Sequence, residues 1–162
     1  MGVVTDEARR WAEREYPTVS FTVTARDIAR YAYAIEATDR IHFDEEEAHT
    51  AGYRGVVAPS LFPYVIRMQA YNMVGRDELE VDGSPSADVP PLQTVRAMAG
   101  ETSIELGEPI VAGDVITVDK RLLDLYEREG KSGPLVFVQM EYNFRNQDSQ
   151  LVAREQFTRI YR

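Results

Sequence analysis

The sequence predicts an α+β fold in which an antiparallel sheet wraps around one long helix. The first half of the chain has helix-capping residues and apolar residues at helical spacing, whereas apolar and polar residues alternate in the second half. Consecutive strands joined by short turns form an antiparallel sheet with one apolar face, and one long apolar helix is available to cover that face. A length of 162 residues fits one domain over residues 1–162.

The helices before residue 44 are predicted from charge, capping and spacing. Residues 6–15 form a short charged helix that ends before Pro17, and residues 20–23 form a short strand. Thr24 and Asp27 have the spacing of a capping box, with Asp in place of the usual Glu. The helix that they open has four residues on one face: Ile28, Tyr31, Ala32 and Ile35.

Two further helices follow residue 43. Asp44 caps a short helix whose first turn is acidic, as the helix dipole favours. Ser60 caps the longer central helix, and Gly75 ends it. The predicted apolar stripe of this helix consists of Leu61, Tyr64, Val65, Met68 and Tyr71.

The second half is predicted to form the sheet. Strands are expected over residues 102–106, 115–126 and 151–161, with a turn at residues 146–149. Residues 81–91 are rich in Pro, Ser, Gly and Asp, which predicts a flexible loop between the two halves. One strand places five apolar residues on a buried face: Val136, Val138, Met140, Tyr142 and Phe144.

Charge and composition exclude several classes of function. The 27 acidic and 18 basic residues give a net charge of −9, with no basic run, which argues against nucleic-acid binding. An anionic carrier such as CoA would need a local basic rim, for which Arg54, Arg67 and Arg76 are the candidates. The chain has no apolar segment long enough to span a membrane, no apolar signal core near its start and no cysteine. We therefore expect a cytoplasmic protein.

One histidine and one helix start are the candidate site. The ordinary pKa of histidine, about 6.5, suits His42 to proton transfer near neutral pH. The turn at residues 57–60 precedes the central helix, and the free N–H groups of a helix start can stabilise a developing oxyanion. Pro59 cannot donate, so Ser60 or Leu61 would have to do so. The spacing of the two histidines fits no zinc signature, so neither a metal nor a cofactor is predicted.

Five segments carry a resemblance to a known family: residues 31–44, 51–59, 108–114, 130–138 and 146–153. In this order they resemble the MaoC-like acyl dehydratase/hydratase superfamily, which has the hot-dog fold. The resemblance runs from about residue 21 to residue 162. It is greatest to the N-terminal MaoC-like dehydratase domain group, which includes subunits of mycobacterial-type (3R)-hydroxyacyl-ACP dehydratases.

The motif of active members of that superfamily reads Y-A-x-x-S-G-D-x-N-P-x-H, and its Asp and His are the catalytic pair. Aligned without gaps, Tyr31 and His42 match the first and last positions, whereas Asp39 stands at the Asn. Ala37 occupies the position of the catalytic Asp, so the acidic partner is missing from its usual place. The later A-H-G of active members is Ala-Pro-Ser here, at residues 58–60.

The resemblance implies an enoyl-thioester hydratase or (3R)-hydroxyacyl-thioester dehydratase that acts on acyl-CoA or acyl-ACP, with His42 and Asp39 as the acid/base pair. Ala37 keeps a second hypothesis open, in which the chain is a non-catalytic acyl-binding subunit. A hot-dog thioesterase is a third. Proteins of this kind pair through their sheets, so a homodimer or a heterodimer with a MaoC-like hydratase subunit is expected. The residues expected to bind substrate are Tyr31, Gly55, Val57, Ala58, Ser60 and Leu61.

Overall fold

The computed structural model describes residues 3–72, 74–81, 83–92 and 96–162, and it confirms the predicted α+β class. Five antiparallel strands form one sheet in the order β1-β3-β4-β5-β2. Within the described ranges, no helix has the length and apolarity needed to cross a membrane. The elements are α1 (Asp6–Ala12), β1 (Val19–Thr22), α2 (Ala25–Ala34), α3 (Glu45–Thr50), α4 (Phe62–Asn72), β2 (Ala97–Leu106), β3 (Val115–Gly130), β4 (Gly133–Arg145) and β5 (Leu151–Tyr161).

The strand with the clearest alternation lies at the centre of the sheet. β4 pairs with β3 on one side and with β5 on the other. All five of its predicted apolar residues are buried, from Val136 to Phe144, because side chains at every second position point to the same face. Two other strands are longer than predicted. β2 begins at Ala97 and β3 extends to Gly130, and no alternation of apolar and polar residues marks these ends in the sequence.

The capping signals before α2 and α3 are confirmed. Thr24 Oγ1 accepts a hydrogen bond from the Asp27 N–H at 3.1 Å, and the Asp27 carboxylate accepts one from the Thr24 N–H at 3.2 Å. Asp44 accepts from the Glu46 and Glu47 N–H groups at the start of α3. Helix α1 ends at Ala12, three residues before the predicted end.

The predicted apolar stripe of α4 is correct at Val65 and Tyr71, which pack against the core, and wrong at its other three residues. Phe62 and Ile66 are fully buried, whereas Leu61, Tyr64 and Met68 are exposed. Several faces of α4 carry apolar side chains, so periodicity alone could not select the one that packs on the sheet. Tyr71 was placed correctly on a packed face, since its hydroxyl donates to the Val118 carbonyl at 2.8 Å.

Two ion pairs link sheet residues to α4 and to the segment after it, and we call them the ionic cluster. Arg67 Nη1 is 3.3 Å from Glu155 Oε1, and Lys120 pairs with Asp88. Asp88 belongs to a 3₁₀ turn inside the segment predicted as a flexible loop. Of that segment, residues 81 and 83–91 are described and residue 82 lies outside the described residues. Arg67 is buried, so its predicted place on a basic rim at the surface is wrong.

Candidate functional site

A cleft of about 620 Å³ opens beside the start of α4. One wall comes from the end of α2 and the segment that carries His42. The opposite wall comes from the connection between β2 and β3, together with Val152 of β5. The lining residues are Tyr31, Ile35, Ala37, Ile41, His42, Tyr53, Val57, Ala58, Pro59, Ser60, Leu61, Pro63, Leu106, Gly107, Glu108, Pro109, Ile110 and Val152.

His42 is held in the cleft with a defined tautomer. It ends the 3₁₀ turn Arg40–His42, and its Nδ1 lies 2.7 Å from the Val57 carbonyl oxygen. A carbonyl oxygen only accepts, so Nδ1 carries the hydrogen and Nε2 of the neutral ring keeps its lone pair. A half-buried imidazole held in this way can act as a general base through Nε2.

Asp39 lies outside the cleft lining. Its Oδ1 accepts a hydrogen bond from the Ile41 N–H at 3.2 Å, so the carboxylate caps the turn that carries His42. The side chain is exposed, and no side-chain hydrogen bond of the described residues joins it to His42. Its contact therefore serves to shape the backbone before His42, and its role as acid/base partner stays a prediction.

Helix α2 ends in a Schellman motif directly before the position of the missing acid. The Ala37 N–H donates to Ala32 O at 2.9 Å and the Glu36 N–H to Tyr33 O at 3.1 Å, and Glu36 has a φ of 55°. Glu36 thus has a left-handed backbone conformation, which glycine adopts more easily than other residues. In the aligned motif, its position is that of the Gly. Ala37 lines the cleft, but its methyl group can neither donate nor accept a proton.

Two backbone N–H groups at the start of α4, in residues that line the cleft, have no hydrogen-bond partner among the described residues. The Ala58 N–H donates to Ile110 O at 2.8 Å and the Phe62 N–H to Pro59 O at 2.9 Å. In the part of the chain that the structure describes, no acceptor lies within hydrogen-bonding range of the N–H groups of Ser60 and Leu61. Both residues line the cleft, so these groups are available to an oxygen of a bound molecule.

The other residues expected to bind substrate divide into two groups. Tyr31, Val57 and Ala58 line the cleft. The Tyr31 ring packs edge-to-face on Phe62 with centroids 5.8 Å apart, and burial raises the pKa of its hydroxyl. Gly55 is buried outside the lining, against the Ala112 backbone oxygen. Its role in binding substrate stays a prediction.

Sequence reasoning missed the wall formed by residues 106–110. Among the described residues that line the cleft, Glu108 is the only carboxylate, and its side chain is exposed. The segment was recognised as part of the family resemblance, but no local pattern indicated that it would face His42. The two segments line the same cleft because the chain returns after about 60 residues, which only the tertiary fold decides.

Comparison with known proteins agrees with this fold. Residues 10–155 match the model of a family described as FAS1-like, dehydratase domain region. A UPF0336 protein of Clavibacter michiganensis is 32% identical over 98 residues, which are 60% of this chain and 58% of that protein, so this chain corresponds to only part of that relative's length.

Two examples from the solved structures that resemble this chain show the shared architecture. One is the HadBC (3R-hydroxyacyl-ACP dehydratase) complex of Mycobacterium tuberculosis, with a TM-score of 0.66 and 22% identity over 90% of this chain and 92% of that chain. The other is a MaoC-like dehydratase of Rhodospirillum rubrum, with a TM-score of 0.64 and 20% identity over 91% and 92%. At such identities the likeness shows the fold, and it confirms the predicted hot-dog architecture.

Proposed function

This chain belongs to the FAS1-like dehydratase domain family, and we propose that it is a subunit of an enoyl-thioester hydratase or (3R)-hydroxyacyl-thioester dehydratase. Its substrate is an acyl-CoA or an acyl-carrier protein, and a MaoC-like partner subunit completes the catalytic machinery. The observation that carries the proposal is the placement of His42 in the cleft, with Nδ1 bonded to Val57 O and Nε2 free to take a proton.

The residues of the cleft support the chemistry of hydration. His42 Nε2 takes a proton from water while the water oxygen bonds to C3 of the 2-enoyl thioester. Electrons of the C2–C3 double bond move toward the thioester carbonyl, and the Ser60 and Leu61 N–H groups stabilise the enolate oxygen. A proton then reaches C2, which gives the 3-hydroxyacyl thioester. Dehydration is the same sequence in reverse.

Protonation of C2 needs an acid, and we infer that a partner subunit contributes to this step. Ala37 removes the acid at its usual position. Within this chain, Asp39 is the proposed substitute, and Glu108 is the carboxylate in the cleft wall. A partner with an intact Asp/His pair supplies the acid, or both groups, in the proposed complex.

Exposed apolar residues at the cleft also support a partner. Ile35, Leu61 and Leu106 line the cleft and are 48%, 54% and 50% exposed. Apolar side chains grouped around a cleft at this exposure favour coverage by another surface.

The absence of a carboxylate at Ala37 favours the second candidate function, in which this subunit binds and shapes the acyl chain without catalysis.

The test is hydration of a short trans-2-enoyl-CoA, followed by loss of enoyl absorbance. The chain is assayed alone and together with a MaoC-like subunit that copurifies from the native host. In the active assembly, His42→Ala is compared with His49→Ala, a matched control because His49 is exposed on α3. We expect kcat to fall by about 10²–10⁴ for His42→Ala and to stay unchanged for His49→Ala.

An active assembly that is insensitive to His42→Ala would overturn the catalytic role and establish the acyl-binding subunit. If neither the chain nor the assembly hydrates enoyl-CoA or enoyl-ACP, the proposed reaction is wrong. Ala37→Asp adds a gain-of-function arm. Because it restores the acid of the aligned motif in the cleft that also contains His42, we expect it to raise the activity of the chain alone.

A further inference from the structure

Asp114 is a fully buried carboxylate with no part in the proposed chemistry. Its side chain is 0% exposed and accepts three hydrogen bonds. Oδ2 accepts from the Val111 N–H at 2.9 Å, and Oδ1 accepts from Gln147 Nε2 at 3.1 Å and from the Arg54 guanidinium. Burying a charge is costly unless it is paired and bonded, so these three donors are what make the ionised side chain tolerable here.

These contacts attach residues 54–58 to the turn before β3. The Arg54 ion pair holds the beginning of the segment. Val57 and Val111 form an isolated antiparallel bridge, flanked by hydrogen bonds from Ala112 N to Val56 O at 2.9 Å and from Ala58 N to Ile110 O at 2.8 Å. Asp114 thus organises both sides of the bridge, one through Val111 and the other through Arg54.

Val57 in turn holds His42 through two contacts. Its N–H donates to Ile41 O at 3.0 Å, and its carbonyl oxygen accepts from His42 Nδ1 at 2.7 Å. The first contact places the backbone beside the histidine and the second orients the ring. The same segment continues into Ser60 and Leu61, which offer the free N–H groups at the start of α4.

We propose that Asp114 is a positioning residue for His42: by holding Arg54 and the Val111–Val57 bridge, it fixes the Val57 carbonyl that keeps the His42 ring in its Nδ1–H tautomer. The catalytic meaning of this inference rests on the proposed function, whereas the ring orientation does not. For metal-bound histidines, removing the group that bonds the second ring nitrogen costs about 10–100-fold in affinity or activity. Asp114 acts on the ring only through Val57, so this range is an upper limit for its effect.

Asp114→Asn tests the positioning role most directly. An amide keeps the shape of the carboxylate, but its NH₂ group must face at least one of the three donors and leave it without an acceptor. Arg54→Gln removes the ion pair and leaves the Val111 bond in place, so we expect a smaller effect in the same direction. Glu141→Gln is the matched control, because Glu141 is also buried and accepts from three side chains, Arg121, Asn143 and Gln156.

The readout is nitrogen NMR of the imidazole rings. The chain has two histidines, so the exposed His49 serves as an internal reference. We expect the neutral His42 ring of the unmodified protein to show a protonated Nδ1 and an unprotonated Nε2. Asp114→Asn should shift both nitrogens toward a mixture of tautomers, whereas Glu141→Gln and the His49 signals should not change. In the active assembly, kcat of Asp114→Asn should fall, by at most about 10–100-fold.

Unchanged His42 shifts in folded Asp114→Asn would overturn the inference, whatever the activity. Shifts of His42 without any activity in the unmodified assembly would leave the positioning role standing and refute the proposed function. If Asp114→Asn does not fold, Arg54→Gln decides, since its side chain is 53% exposed and its loss leaves the interior filled. In that case, His42 shifts that match those of the unmodified protein would overturn the proposal.

Discussion

The cleft and the ionic cluster lie against the same helix but treat their polar groups in opposite ways. In the cleft, the only ionisable groups among the described lining residues are His42, Glu108 and two tyrosines. The N–H groups of Ser60 and Leu61 at the start of α4 have no hydrogen-bond partner there. In the ionic cluster, Arg67, Glu155 and Lys120 are buried and Asp88 is half-buried, and the four side chains form two ion pairs. An accessible site keeps few charges and leaves some hydrogen-bonding groups unpaired for a ligand. A buried charge, in contrast, needs an opposite charge close to it.

The matching in the cluster is nevertheless incomplete. The Arg67 and Glu155 side chains are 7% and 1% exposed, yet neither Glu155 oxygen nor Arg67 Nε has a hydrogen-bond partner among the described residues. Arg67 is held instead by the rings of Tyr64, Tyr142 and Phe157, at 4.5, 5.2 and 4.8 Å from the guanidinium carbon. A pair of this kind costs desolvation and becomes a liability when one member is removed.

The largest effect that would test this contrast is the loss of Arg67. We expect Arg67→Met to lower the free energy of unfolding by about 3–5 kcal/mol, because Glu155 is then left buried without a counterion. Urea denaturation measures the change. Arg154→Met is the control, since its pair with Glu105 is exposed and contributes at most about 1 kcal/mol. The double variant Arg67→Met/Glu155→Leu should recover most of the lost stability. If Arg67→Met and Arg154→Met lower the free energy of unfolding equally, the contrast between the buried and the exposed ion pair is refuted.

The next effect concerns pH. Burial raises the pKa of Glu155 above its ordinary value of 4.5, and the nearby Arg67 partly opposes this. A folded state that binds the proton more tightly than the unfolded chain loses stability as pH rises from 4.5 through the raised pKa, by at most about 1.4 kcal/mol per pH unit. Urea midpoints measured across this range should therefore fall. We expect Glu155→Gln to remove that contribution and Glu105→Gln, on the surface, to keep it. The same slope in Glu155→Gln would assign the pH dependence to other groups.

The smallest expected effect tests the backbone of the cleft. Glu36 occupies a left-handed conformation that suits glycine, at the end of the Schellman motif. We expect Glu36→Gly to raise the free energy of unfolding by about 1 kcal/mol, measured by thermal or urea unfolding. Glu36→Ala is the matched control, because alanine keeps the Cβ atom that makes this conformation unfavourable. A gain of equal size in the alanine variant would show that the side chain, and not the backbone, is responsible.

Local signals in the sequence were reliable where one element supplied all the evidence. The Thr24–Asp27 capping box and the alternation of β4 depend on neighbours within a few residues, and both were confirmed. The family resemblance was also confirmed, because the order and spacing of several segments are properties of the sequence itself.

What remained for the tertiary structure depends on contacts between distant residues. The buried face of α4, the Arg67–Glu155 pair and the wall around Glu108 arise when the sheet closes on the helix. Periodicity cannot choose between two apolar faces of α4, and charge counts cannot reveal which arginine is buried.

The sequence by itself determined the α+β class, the family, the candidate His42 and the absence of the acid at position 37, because each is written in local pattern or residue identity. Only the tertiary structure decided that the Val57 carbonyl orients His42, that Asp39 caps a turn outside the cleft lining and that Asp114 lies behind the Val111–Val57 bridge. The physical reason is that a hydrogen bond requires two groups within about 3 Å, and the fold, not the spacing along the chain, brings such groups together.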